Sequence, residues 1–215
     1  GLAVLGMIVV HVAATDAGAP LAVAASGRAA ILFGVLGGVS LALMAAPALR
    51  SGDPDDRAGL RRRVAVRAAV LIVIGIALAA ISSGPMVILA VYGVEFLLVL
   101  PALFAGARTL AVAAAGWALA GPALSFLLRS GLDTNTFGGT VAPSDLTSWG
   151  AAGEAGLRLL LTGAYPVLTW MPFLLLGMAL GRCDLPRYTG RLICGGLLGA
   201  LAGYGGSWLA VDVLG

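Results

Sequence analysis

The stretch Arg28-AAILFGVLGGVSLALMAAPAL-Arg50 decides what kind of chain this is. The residues between its two arginines, 29–49, carry no charge and are rich in Ala, Leu, Val and Gly. About 20 such residues, rising 1.5 Å each, cover the roughly 30 Å of bilayer hydrocarbon. Polar and apolar residues do not alternate along it, so it reads as a helix that satisfies its own backbone rather than as a barrel strand. Working outward, comparable runs recur at about 1–14, 64–82, 86–105, 109–128, 157–181 and 192–213. The expectation is an all-α, polytopic transmembrane bundle of about seven spans, with residues 1–215 forming one transmembrane domain.

Composition agrees. Of 215 residues, 60% are hydrophobic and 11% charged, and the mean hydropathy is +1.03. Soluble domains carry roughly 25% charged residues to clothe their surface, so a soluble single-core globule is excluded. The 13 basic residues are all arginines, scattered between apolar runs with no interleaved aromatic stripe; no nucleic-acid partner is expected despite the basic balance. Cys183 and Cys194 lie outside any CxxC and have no histidine nearby, which points to small apolar fillers rather than to zinc or redox chemistry. No metal is expected. The chain opens at Gly1 inside an apolar run and stops at Leu214-Gly215 after an odd number of spans, so it is expected to be incomplete at both ends.

The arginines set direction. The connections after the second, fourth and sixth runs hold Arg50, Arg57, Arg61, Arg62, Arg63 and Arg67, then Arg108, then Arg182, Arg187 and Arg191, whereas the opposite loops and their borders hold Arg28, Arg129 and Arg158. Positive residues favour the cytoplasmic side. A multi-pass cell-membrane protein with its N-terminal side cytoplasmic follows. The stretch 129–156, with Gly138-Gly139, Pro143, Asp145 and Trp149, is then external, either a solvated linker or a functional loop. Glycines four apart, Gly34/Gly38, Gly177/Gly181 and Gly195/Gly199/Gly203, read as close-packing helix faces.

Ionisable groups inside spans are costly, by about 2.5–3.5 kcal/mol at mid-helix, so each needs a reason. His11, the only histidine, lies in the first run, near Thr15 and Asp16. It either hydrogen-bonds a neighbouring helix or, with an ordinary pKa near 6.5, serves as a general base or nucleophile. Glu95 lies in the fourth run on the same helical face as Tyr92; it either orients the imidazole, handles protons itself, or is a neutral acid hydrogen-bonded within the bundle. Arg28 is near the level of Asp16 and within reach of His11. The sixth run contains Pro166 and Pro172, which free carbonyls and open space beside Tyr165, Thr169 and Trp170; a kinked structural helix is the plainer alternative. The loop from Arg50 and Arg57 through Arg63, with Arg61, Arg62 and Arg63 foremost, is a candidate for holding the phosphates of a nucleotide-bearing cofactor, although the topology rule alone also puts arginines there and Asp53, Asp55 and Asp56 would oppose an anion.

These residues resemble a known group. Gly1-Leu2-Ala3-Val4-Leu5-Gly6-Met7-Ile8-Val9-Val10-His11 is similar to the first helix of the integral-membrane acyltransferases of the acyltransferase-3 type, whose signature is an Arg, ten residues, then His. The histidine matches, and the Arg would stand immediately before Gly1. Gly27-Arg28 with Phe33-Gly34-Val35-Leu36-Gly37-Gly38-Val39-Ser40-Leu41 is similar to that group's second helix. Tyr165-Pro166-Val167-Leu168-Thr169-Trp170 with Leu176-Gly177-Met178-Ala179-Leu180-Gly181-Arg182 resembles the branch related to heparan-alpha-glucosaminide N-acetyltransferase. The resemblance implies transfer of an acetyl group from acetyl-CoA to an outward-facing carbohydrate or glycolipid of the cell envelope, with His11 catalytic. Glu95 as a second catalytic group rests on its depth and charge alone. Arg28, Asp16, Tyr92, Tyr165, Thr169 and Trp170 complete the substrate-binding candidates. The alternative is a proton-coupled transporter or flippase, with His11 and Glu95 as a relay.

Overall fold

The computed structural model describes residues 2–12, 27–81, 87–132 and 138–209, and among these every regular element is helical, as expected. In chain order they are α1 (Leu2–Val12), α2 (Arg28–Ser51), α3 (Pro54–Ile81), α4 (Leu89–Leu98) and α5 (Ala107–Arg129). A 3-10 turn (Pro143–Leu146), α6 (Trp149–Leu157) running into a π turn (Arg158–Thr162), α7 (Val167–Leu180) and α8 (Leu185–Trp208) follow. The chain divides into two compact units, Gly1–Arg182 and Cys183–Gly215.

Among the described residues α2, α3 and α5 are long and apolar enough to cross a membrane. The α6–π segment and α7, bent by 54° at their junction, form a fourth candidate taken as one span. This corrects the seven spans expected from sequence. α1 is described over 11 residues. α4 has only 10, about 15 Å of rise, half the hydrocarbon thickness. α8 spans 24 residues but includes Arg187, Arg191 and many glycines, which dilute its hydropathy.

Side chains face outward in a way water would not support. α3 exposes Val66, Val70, Val73 and Ile74, and α5 exposes Val112, Leu119 and Phe126. A soluble monomer rarely shows such continuous apolar surface; helices whose outer faces meet lipid do.

Inside the first unit, packing is set by small residues. A Cβ on Gly38 would collide with the Leu174 carbonyl, one on Gly177 with the Val35 carbonyl, and one on Gly181 with Ala42 and Val39. The α2 and α7 backbones therefore touch, as the four-residue spacing predicted. α3 and α4 meet likewise through Gly75 against Ala90 and Gly93 against Ala68 and Ile72. In the second unit, Cys194 is a free thiol. Leu41, Leu103, Leu110, Leu174 and Met178 fill the first unit's core.

The α2–α3 connection shows why the chain turns where it does. Gly52 takes the left-handed conformation (φ 71°) that ends α2, a geometry that costs any residue with a Cβ. Asp53 Oδ1 accepts from the Asp55 amide at 2.8 Å, Pro54 opens α3, and Asp55 and Asp56 face its positive end.

Candidate functional site

The break between the π turn and α7 organises one end of the bundle. Pro166 and Pro172 lack amide donors, so the carbonyls four residues earlier, Thr162 and Leu168, lose their helical partners. Both find others. Gly138 N–H donates to Thr162 O at 2.8 Å, and Trp117 Nε1 donates to Leu168 O at 2.7 Å. Ala164 N–H donates in return to Gly139 O at 3.2 Å. The Gly138-Gly139 pair, at φ 86° and 75°, thus docks the loop after α5 onto the break. Asp145 and Arg158 pair at 2.9 Å, and Val141 is buried. The described part of this loop is a seal rather than a loose linker.

Beside the break, aromatic rings form a row. Tyr165 and Trp170 meet edge to face at 5.0 Å, and Trp170 and Phe173 at 5.6 Å. Gly34 of α2 follows: a Cβ there would stand 3.4 Å from Phe173 Cβ and 3.8 Å from Tyr92 Oη. Tyr92 is half-buried, and its hydroxyl donates to Ala30 O at 2.9 Å. Its phenol lies within electrostatic range of both Tyr165 and Glu95.

Glu95, about one turn beyond Tyr92, is 1% exposed. Neither carboxyl oxygen has a hydrogen-bond partner among the described residues. Thr162, fully buried, likewise has an unpartnered hydroxyl. Buried polar groups are nearly always satisfied, and those that are not mark functional positions out of proportion. This carboxyl has spare capacity to hold a proton or a hydrogen-bonding ligand.

The structure thus brings Tyr92, Glu95, Tyr165 and Trp170 into one neighbourhood at the start of α2. Thr169 stands apart: its hydroxyl donates to Pro166 O at 3.2 Å, and it lines a cavity of about 370 Å³ with Ser125 and Arg129. Arg28 opens α2 and is exposed. α1 packs beside it, since a Cβ on Gly6 would stand 3.0 Å from Ala29 Cβ. His11 lies five residues further along α1, and its side chain is outside what is described; Asp16 lies outside the described residues altogether.

Of the cofactor candidates, Arg61 lies over the Phe104 ring at 5.3 Å, while Arg62 and Arg63 are exposed on other faces of α3. Arg57, from the same candidate loop, also lies over Phe104 at 5.6 Å; sequence reading missed Arg182, which donates to the Leu103 carbonyl. The signal available was the positive-inside pattern itself, which had placed these loops on one side without saying that they touch. Sequence reading also missed an apolar cavity of about 620 Å³ lined by Leu98, Trp117, Leu161, Met171 and neighbours. Among the described residues no group of His, Cys, Asp or Glu could hold a metal ion.

Compared with known proteins, the chain matches no family model, no curated protein and no solved structure. The acyltransferase resemblance therefore rests on its motif residues alone.

Proposed function

We propose that the chain is an integral-membrane acyltransferase of the cell membrane. Its arginine-bearing end and the start of α1 would be cytoplasmic, and it would move an acetyl group from acetyl-CoA to an outward-facing sugar or glycolipid. One observation carries the reading: α1, which bears His11, packs at Gly6 against Ala29, while Tyr92 ties α4 to Ala30. The helices bearing His11, Arg28 and Glu95 therefore meet at a single end of α2. In this scheme His11 takes the proton from the acceptor hydroxyl or amine as its oxygen or nitrogen attacks the acetyl carbonyl. The thioester C–S bond breaks, and the proton leaves with the thiol; alternatively the imidazole carries the acetyl group transiently.

Labelled acetyl-CoA supplied to membranes carrying the protein or its His11→Ala form tests this. Label is expected in extractable glycolipids or glycans with the parent and not with the variant. Equal transfer by both overturns the mechanism.

The unpartnered burial of Glu95 favours a second reading, a proton-coupled transporter. It predicts proton flux in proteoliposomes under an imposed substrate gradient, abolished by Glu95→Gln. Acetyl transfer that persists in Glu95→Gln while flux is absent from the parent removes it.

A further inference from the structure

We infer that Arg57, Arg61 and Arg182, gathered around the Leu103–Phe104 turn, form a binding site for a phosphate-bearing anion. The inference does not need the acyl-transfer reading, because binding is read directly. Two of the guanidiniums come from one turn of α3 and the third from more than a hundred residues further along the chain. Arg57 and Arg61, one turn apart on α3, both lie over the Phe104 ring; Arg182, just beyond α7, bonds the neighbouring Leu103 carbonyl. Like charges gathered on one turn repel unless an anion joins them.

Two of their donors are also unspent. The Nε atoms of Arg57 and Arg182 are both buried and without a partner among the described residues. A guanidinium donor removed from water with no acceptor costs more than an ordinary polar group, and planar Arg forks match phosphate oxygens. Burial also lowers the pKa of Arg182 from its ordinary value, as expected of a cation short of counter-charge. Arg158, by contrast, pairs with Asp145 on other elements. The acidic residues nearest in sequence are Asp53, whose Oδ1 is engaged by the Asp55 amide, Asp55 and Asp56, exposed in the first turn of α3, and Asp184, two residues after Arg182. Arg57 occupies that same first turn, the positive end of the helix dipole, where an anion is favoured and a cation is not.

The phosphate could belong to a lipid headgroup or to a soluble phosphate ester, and two arms separate them. In the first, the intact protein in phosphatidylcholine nanodiscs is titrated calorimetrically with pyrophosphate. In the second, phosphatidylglycerol retained per protein is counted after exchange from mixed-lipid nanodiscs. Arg57→Gln and Arg182→Gln are expected to weaken binding by about tenfold or more, the scale of one hydrogen bond to a charged group. Arg57→Lys and Arg182→Lys keep the charge but lose Nε–H, and are expected to bind less well than the parent while folding normally. Arg108→Gln, on α5, is expected to bind like the parent. Loss confined to the pyrophosphate arm assigns a soluble ester; loss confined to the lipid arm assigns a headgroup. An effect of Arg108→Gln equal to the others, or no binding in either arm, overturns the site.

Discussion

The indole N–H of Trp117 donates at 2.7 Å to the carbonyl of Leu168, the carbonyl that Pro172, four residues on, leaves without a helical donor. A proline inside an apolar helix is tolerated when another element supplies the missing bond, and here α5 supplies it to α7. Gly121, one turn from Trp117, permits the approach: a Cβ there would stand 2.8 Å from that same carbonyl.

Trp117→Phe should therefore destabilise the protein by about 1–3 kcal/mol, the cost of leaving a backbone acceptor unsatisfied on an apolar helix. Pro172→Ala should shrink that cost, because residue 172 then offers Leu168 its own amide. A double-mutant cycle on unfolding in detergent is expected to give coupling of about 1 kcal/mol. Additive effects would mean that the indole bond is incidental.

The helix-packing glycines divide sharply. Gly38→Ala and Gly177→Ala place a Cβ on a facing backbone carbonyl, which no rotamer change relieves. Each should cost about 1–3 kcal/mol from overpacking. Gly116→Ala, inside α5, meets nothing within 4 Å and should be neutral or stabilising by up to about 1 kcal/mol from helix propensity. Thermal unfolding of the three variants checks the contrast.

That contrast shows what the sequence could and could not convey. Spacing of small residues identified the Gly34/Gly38 and Gly177/Gly181 faces, because close approach needs the absence of a Cβ. Hydropathy located α2, α3 and α5, but overcounted where a run such as 86–105 is apolar yet breaks into turns after Leu98. Glu95 was legible because a carboxylate in an apolar run is costly anywhere. Arg57, Arg61 and Arg182 were not legible as a group: only the tertiary fold brings position 57 to position 182, and charge patterning had already accounted for each arginine singly.

Gly138 and Gly139, at φ 86° and 75°, hold the loop against the broken span. Alanine at either position must adopt a left-handed conformation costing roughly 1–2 kcal/mol. Gly138→Ala and Gly139→Ala should loosen the seal, so limited proteolysis between Thr140 and Thr147 is expected to accelerate. Gly131→Ala, which has open space around its Cβ position, should leave the cleavage rate unchanged.

Glu95 offers the clearest separation of stability from function. A buried carboxyl with both oxygens unpartnered contributes no bond whose loss would weaken the fold. Replacing buried polar or ionic groups by similar-sized apolar ones is often neutral or stabilising. Glu95→Gln and Glu95→Leu should therefore unfold at the same denaturant concentration as the parent or higher, with Leu the more stable of the two. Both are expected to lose acetyl transfer, or proton flux, by tenfold or more, about 1.4 kcal/mol of barrier or binding. The opposite pattern, unfolding more than about 1 kcal/mol easier with activity intact, is what a structural hydrogen bond to that carboxyl would produce. A residue that is expendable for folding yet required for turnover is retained for its chemistry, which is why the denaturant midpoint must be read beside the activity.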